Sequence, residues 1–266
     1  MNRLWLIVLA AVLISRASVA ASSPSRDTLF RKDRTGELTA IFVPAGRILR
    51  VPIQQLGTVG FSDSSIHRIE ERITVARSAA AKAGHPVCGQ PVFGDVEGSQ
   101  TKAVNTIDAL ENVPIVVAGQ VQRQVSGLLA DGQPASLVEI SVATVLKGEF
   151  DVHRGDHLTI VERIGTVTVA GVELCATTPD YRLPVVGETV VVFGAIDNDN
   201  PGHLEANEQN LLFVTSGVVD RGGLQPEDWK PVSLEELARR LNHGNRTPRT
   251  PTRRGEQIVA LRALLR

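Results

Sequence analysis

The sequence predicts a mainly β protein: an antiparallel OB-like barrel or sandwich of about 5–7 strands, with an N-terminal helix and short C-terminal helices. Three features carry that expectation. Val138-Glu-Ile140-Ser-Val142 alternates apolar with polar, the period of a strand with one buried face. Val190-Val-Val-Phe193 is a continuous apolar run, as expected of a strand covered on both sides. Gly, Pro and Asp close each run, and no helical crossovers lie between the runs, so neighbouring strands pair antiparallel.

The chain begins with the features of an export signal. Arg3 supplies positive charge, Leu4–Ile14 is apolar, and Ser18-Val-Ala20 is a small-x-small cleavage pattern. Ser15 and Arg16 end the apolar run well short of the roughly 20 residues needed to span a bilayer. Residues 1–20 therefore read as a signal peptide cut near Ala20, with no membrane span afterwards and an extracytoplasmic (periplasmic or secreted) destination. Residues 21–106 form an N-terminal segment with one strand pair and a helix, and 107–220 the β core. A capping helix follows at 221–244, then a basic linker and terminal helix at 245–266.

Within the N-terminal segment, Ala21–Gly36 is Ser-rich and charged and reads as a loosely held leader. Leu38-Thr-Ala-Ile-Phe-Val43 reads as a strand, with Ile48-Leu-Arg-Val51 as its hairpin partner. The clearest helix spans about residues 64–83. Ile66, Ile69, Ile73, Ala76 and Ala80 recur at three and four, and Asp63 or Ser64 caps the start. Gly84 and Pro86 end it. His85–Thr106 is a polar connection carrying Cys88, and Ile107–Leu110 a short helical turn.

The core strands are expected at Ile115–Val121, Leu137–Leu146, His157–Ile164, Val167–Cys175, Glu188–Ile196 and Leu211–Thr215. Val218-Val219 extends the sheet, Asp131-Gly132 marks a turn, and Gly119 marks a bulge or a close backbone approach. Ser233-Leu-Glu-Glu236 is a capping box, with Leu234, Leu237 and Leu241 as the buried stripe and Gly244 as the stop. Asn245–Gly255 is Pro-rich and basic, and Glu256–Arg266 carries a last apolar stripe at Ile258, Leu261 and Leu265.

Composition excludes some partners. Aromatic residues make up only 4% of the chain, too few to build stacking platforms for bases or sugars. The chain carries 28 basic and 29 acidic residues, and removal of Arg3 and Arg16 with the signal leaves it mildly acidic. Nothing in that balance attracts nucleic acid. Cys88 and Cys175 both lie in the exported part, where an isolated pair reads as a disulfide rather than as two free thiols.

Over Asn112–Phe193 the chain resembles secreted bacterial domains of the netrin/metalloproteinase-inhibitor type. The segments carrying it are Val113-Pro-Ile-Val-Val-Ala-Gly-Gln-Val121, Ala143-Thr-Val-Leu-Lys-Gly148 and Val186-Gly-Glu-Thr-Val-Val-Val-Phe193. The resemblance implies a five-stranded OB-like barrel followed by a short helix. Inhibitors of that type act through a cysteine at the mature N-terminus. A mature chain starting near Ala21 has none there, so that mechanism does not carry over.

No local motif assigns catalytic, cofactor or metal residues. His153 and His157 stand four apart, but Gly155-Asp156 makes a turn and His157 opens a strand, which removes a helical metal-site geometry. Arg154-Gly-Asp156 reads as a solvated turn. Asp197-Asn-Asp199 with Gly202 and Glu208 has calcium-loop spacing, yet Pro201 occupies a ligand position and the flanks are strands, so a polar hairpin loop is expected. The expected function is an exported non-enzymatic β-domain binding a protein or envelope component. One alternative is an extracytoplasmic hydrolase assembled from distant residues, for which His85, His153, Asp156, His157 and Glu173 are the candidates. The other is a structural envelope protein associating through its C-terminal helix.

Overall fold

A computed structural model describes residues 27–88, 108–148, 152–177, 181–205, 211–220 and 230–244. The segments expected to be a signal peptide, a linker and a terminal helix, together with Glu208 and the greater part of the His85–Thr106 connection, lie outside the described residues. The elements in order are β1 (Leu29–Lys32), β2 (Leu38–Pro44), α1 (Ala45–Ile48) and α2 (Asp63–Ala83). They continue with β3 (Ile115–Leu129), β4 (Pro134–Lys147), β5 (His157–Glu162), β6 (Gly165–Val169) and β7 (Val172–Ala176). The last are β8 (Thr189–Ile196), β9 (Leu204–Glu205), β10 (Leu211–Thr215), β11 (Val218–Asp220), β12 (Val232–Ser233) and α3 (Leu234–Gly244). Short 3-10 helices lie at Ile53–Val59 and Asp108–Asn112.

The molecule is mainly β and its strand pairs are antiparallel, as expected. β3 is the axis. Ile115–Gln120 pairs with β8, Gly127–Leu129 with β2, and nearly the whole strand with β4. Register shifts at Val116/Val117, Ala118/Gly119 and Val121/Arg123 let one long strand serve both sheet regions. Gly119 is needed there: a Cβ would stand 3.1 Å from the Ser141 carbonyl carbon and closer still to its oxygen. The expected close approach at Gly119 is thus present.

Burial explains the two sequence patterns. In β8, Val190 and Val192 join one apolar cluster with Val138, Ile140 and Ile160, while Val191 and Phe193 join another with Leu234 and Leu237 of α3. A strand covered on both faces has no polar side to show, hence the unbroken run. The serine half of the expected capping box is present. Glu236 N donates to Ser233 Oγ at 3.1 Å, and Leu234, Leu237 and Leu241 are buried.

Helix α2 starts one residue earlier than expected, because Ser62 rather than Asp63 or Ser64 caps it, accepting from Ser65 N at 3.3 Å. Gly84 ends it in the left-handed conformation, φ 75°. Ile69 and Ile73 are buried against Val167, Val169 and Leu174 of the β6–β7 hairpin. The Asp131-Gly132 turn also lies under α2: Gly132 has φ 78°, and a Cβ on it would meet Ile69 Cγ1 at 2.7 Å. Cys88, just past α2, is bonded to Cys175 of β7, closing 87 positions of sequence and clamping the helix to the hairpin.

Three expected elements are corrected. Ile48–Val51 is not a strand; Pro44 starts the single turn α1, and the partner of β2 is β1, inside the segment read as a loose leader. The expected strand Val167–Cys175 is the hairpin β6–β7, turned at Ala170 (φ 48°) and Gly171 (φ 75°). The first core strand does not stop at Val121 but runs on to Leu129.

Candidate functional site

One exposed segment held by several side-chain contacts is the approach to β8, residues 181–188. Arg182 pairs with Glu188 through two bonds of 2.7 and 2.6 Å and lies 4.3 Å above the centre of the Phe213 ring. That guanidinium holds the Glu188 carboxyl below the usual carboxylate range. Glu188 also accepts from Val185 N at 2.8 Å and donates its own N–H to Val185 O at 3.0 Å. Gly187 is tied to β3 from both sides, its N–H to Val121 O at 2.8 Å and its carbonyl to Gln120 Nε2 at 3.0 Å. The tip these bonds fix is apolar. Val185 and Val186 are 59% and 64% exposed.

Behind this loop, Tyr181 is buried and packs edge-on against Phe213, ring centres 6.3 Å apart. It lies beside Glu162, the last residue of β5, which is 2% exposed. Burial raises the Glu162 carboxyl from 4.5 to about 7, with the Tyr181 hydroxyl offsetting part of the effect. In register directly across from Glu162 on β4 is Ser136, fully buried. Ser136 Oγ and Glu162 Oε1 have no hydrogen-bond partner among the described residues.

A second constellation covers the outer face of β3–β4–β5. Arg123 donates Nε to Glu139 Oε2 at 3.3 Å and binds both oxygens of Asp27, while His157 Nδ1 stands 3.0 Å from Glu139 Oε1. Ser141 lies across from His157 in register. Both Glu139 oxygens are thereby engaged, and the group ties the N-terminal chain to the sheet.

The third is the turn between β8 and β9, where the calcium-loop spacing falls. It is a polar hairpin loop, as expected, and it serves as an edge cap. Asn200 accepts from Phe30 N at 3.0 Å and donates to Phe30 O at 2.7 Å, so it takes the place of a further strand beside β1. Asp197 orients it, accepting from Asn200 Nδ2 at 2.6 Å, and Arg31 pairs with Glu205. His203 is buried beneath, 3.4 Å from Thr159 Oγ1, and desolvation lowers its imidazole to about 4 against the partial compensation of Asp197.

The five residues considered for hydrolysis do not form one centre. His85 is exposed beyond α2 with Nδ1 2.9 Å from Pro86 O, and Glu173 is exposed on β7. His153 and Asp156 share an exposed turn, in which Asp156 Oδ2 accepts from His153 N at 2.7 Å and stands 3.8 Å from His153 Nδ1. His157 is paired with Glu139 instead. Among the described residues no group of three or more His, Cys, Asp and Glu is placed to hold a metal ion. No described helix is long and apolar enough to cross a membrane.

Glu162, Tyr181 and the two valines escape inspection of the sequence, although one signal exists. In Leu158-Thr-Ile160-Val-Glu162 the carboxylate shares the inward parity of Leu158 and Ile160. No protein-family model matches the chain, and comparison with curated proteins found no significant relative.

Proposed function

We propose that the protein is an exported, non-enzymatic β-domain that binds a protein of the cell envelope through the loop at residues 181–188. The observation that carries this reading is the braced apolar tip. These hydrogen bonds and the cation–ring contact hold Val185 and Val186 out in solvent. A contact surface fixed beforehand loses little entropy on binding, so its apolar area converts efficiently into affinity. The occupant that fits is a protein surface with an apolar recess and an acceptor for Arg182 at its rim.

Export is supported by the apolar run Leu4–Ile14, the Ser18-Val-Ala20 pattern and the Cys88–Cys175 bond, which persists in oxidising compartments. An OB-like barrel is supported by connectivity. β8 lies between β3 and β9, β4 between β3 and β5, and a parallel bridge joins Thr159 of β5 to His203 beside β9. Thr159 N donates to Gly202 O at 2.8 Å in the same place. This ordering, with α3 following, agrees with the likeness to netrin/metalloproteinase-inhibitor domains.

The test is affinity capture from the native envelope with the wild-type chain and with Val185→Asp/Val186→Asp, both substitutions being at exposed positions. A discrete partner held by the wild type and lost by the variant is the expected result. Identical capture by both chains, or hydrolytic turnover lost on His157→Ala, would overturn the proposal.

A further inference from the structure

Strand β3 has an open stretch on one edge. β4 pairs along one side of it from Val116 to Leu128. On the opposite side the register with β8 ends at Gln120, one further bond running from Val121 N to Glu188 O at 2.9 Å, and β2 begins only at Gly127. Gln122–Ser126 therefore pairs with no strand on that side among the described residues. β2 gives way to α1 at Pro44, and the chain before β8 turns outward at Val185 and Val186, so neither closes the interval. Alternation along the ladder decides which backbone groups are left. Leu129 N donates to Gln133 O at 2.9 Å on the β4 side, and Ala130 N to Ile41 O at 3.2 Å on the β2 side. Counted back in twos, Arg123 and Val125 face β4, whereas Gln124 and Ser126 turn their N–H and C=O groups to the open side. The register shift between Val121 and Arg123 resets the count, which is why Val121 bonds towards β8. Gln122 and Gln124 are exposed, and Ser126 is half-buried. Among the described residues no loop or turn backbone reaches Gln124 or Ser126 from that side. The outer edge of β1, by contrast, is closed by Asn200, which bonds to both N and O of Phe30.

We propose that the envelope protein bound at the 181–188 loop contributes an extended segment, which adds to β3 as a short strand beside Gln122–Ser126. A donor and an acceptor on alternate residues are the pattern that an extended backbone matches. The stretch is about 17 Å long at the rise of a β-strand, enough for a strand of ordinary short length. Gly187, through its bond to Val121 O, sets the apolar tip at the head of the stretch. Side chains of the incoming strand can then lie against Val185 and Val186 while its main chain bonds to Gln124 and Ser126. The stretch carries neither Lys nor Pro, and its one charge, Arg123, is taken up by Asp27 and Glu139. Arg182 and Glu188 are paired with each other. An uncharged segment of β-forming residues is thus the occupant that fits. Strand addition rests on the reading of the tip as the contact surface and specifies how the partner's main chain is held.

Amide exchange of the free chain is the first measurement. Gln124 and Ser126 should exchange about ten-fold or more faster than Arg123 and Val125, which bond to β4. Equal protection would show the edge already closed by the chain itself and would overturn the proposal. The second is photocross-linking in the native compartment from Gln122, with and without Gln124→Pro, which removes an outward N–H and no bond to β4. Gln122 should give the same adduct as Val186, and Gln124→Pro should reduce it about ten-fold or more while Tm stays within a few degrees. Should Gln124→Pro fail to fold, Gln124→Lys puts a charge on the edge and should cause the same loss. An adduct unchanged in the folded variant, or none from Gln122 while Val186 still forms one, would overturn strand addition and leave the contact at the tip standing. An adduct of twice the chain's own mass would make a second copy the occupant and overturn strand addition by an envelope protein. No adduct from either position would overturn the contact reading and strand addition together.

Discussion

Replacing Glu162 by Gln should stabilise the protein, and increasingly so as the pH rises. The carboxyl is 2% exposed, and burial raises it from 4.5 to about 7. The sign follows from proton counting: between these two values the native chain holds a proton that the unfolded chain has released. The Glu162 contribution to wild-type stability is therefore full below about pH 4.5, falls as the pH rises, and reaches its lower plateau above about pH 7. The difference corresponds to on the order of 3 kcal/mol. An amide keeps the shape, carries no charge and can donate to Ser136. The two chains should consequently match near pH 4.5 and diverge to about 3 kcal/mol above neutrality, or roughly 6–12 °C in Tm. Urea unfolding of both chains at half-unit pH steps measures the gap, and His203 cancels because it is common to both. A gap that is constant with pH, or a wild type more stable than the variant at alkaline pH, would refute the assignment of Glu162 as a buried acid whose desolvation outweighs its hydrogen bonding.

Replacing Cys88 or Cys175 by Ser should lower stability by up to about 4–5 kcal/mol, the chain-entropy value for a loop of this size, and the double variant should lose little more; denaturant midpoints and thiol alkylation measure both. His203 acts on the acid side. Its imidazole is held neutral down to about 4, so stability should decline as the pH falls from about 6.5 towards 4, by on the order of 3 kcal/mol, and His203→Gln should flatten that slope. Gly119→Ala should cost about 1–3 kcal/mol by forcing β3 away from the Ser141 carbonyl, and the amide exchange of β4 should accelerate with it.

Elements with an extended buried face were legible because burial leaves an apolar run or stripe in the sequence. β8, β4 and the stripes of α2 and α3 are of this kind. β1 was not legible: Leu29-Phe-Arg-Lys32 is four residues long and is held by Asn200, 170 positions away, which no local pattern encodes. The hairpin in Val167–Cys175 was hidden because Ala170 takes the left-handed position where Asn or Gly would have announced a turn. The Cys88–Cys175 bond was legible from the export expected of the N-terminal pattern and from the cysteine count together. The loop at 181–188 was half legible. Its valines stand in the sequence, but their bracing comes from Gln120 and Val121 of β3 and from Phe213 of β10. Glu162 was hidden by the ordinary expectation that carboxylates face water, and only its parity with Leu158 and Ile160 argues otherwise.

The most direct test of the binding role is photocross-linking in the native compartment, with a photoreactive side chain at Val186 and, as control, at Val75. Both positions are strongly exposed, at 64% and 68%, but Val75 belongs to α2 and not to the braced loop. A single discrete adduct from Val186, absent from Val75 and suppressed by Val185→Asp in the same chain, is the predicted result. Equal labelling from both positions, or no adduct from Val186 in cells that express and export the protein, would contradict it.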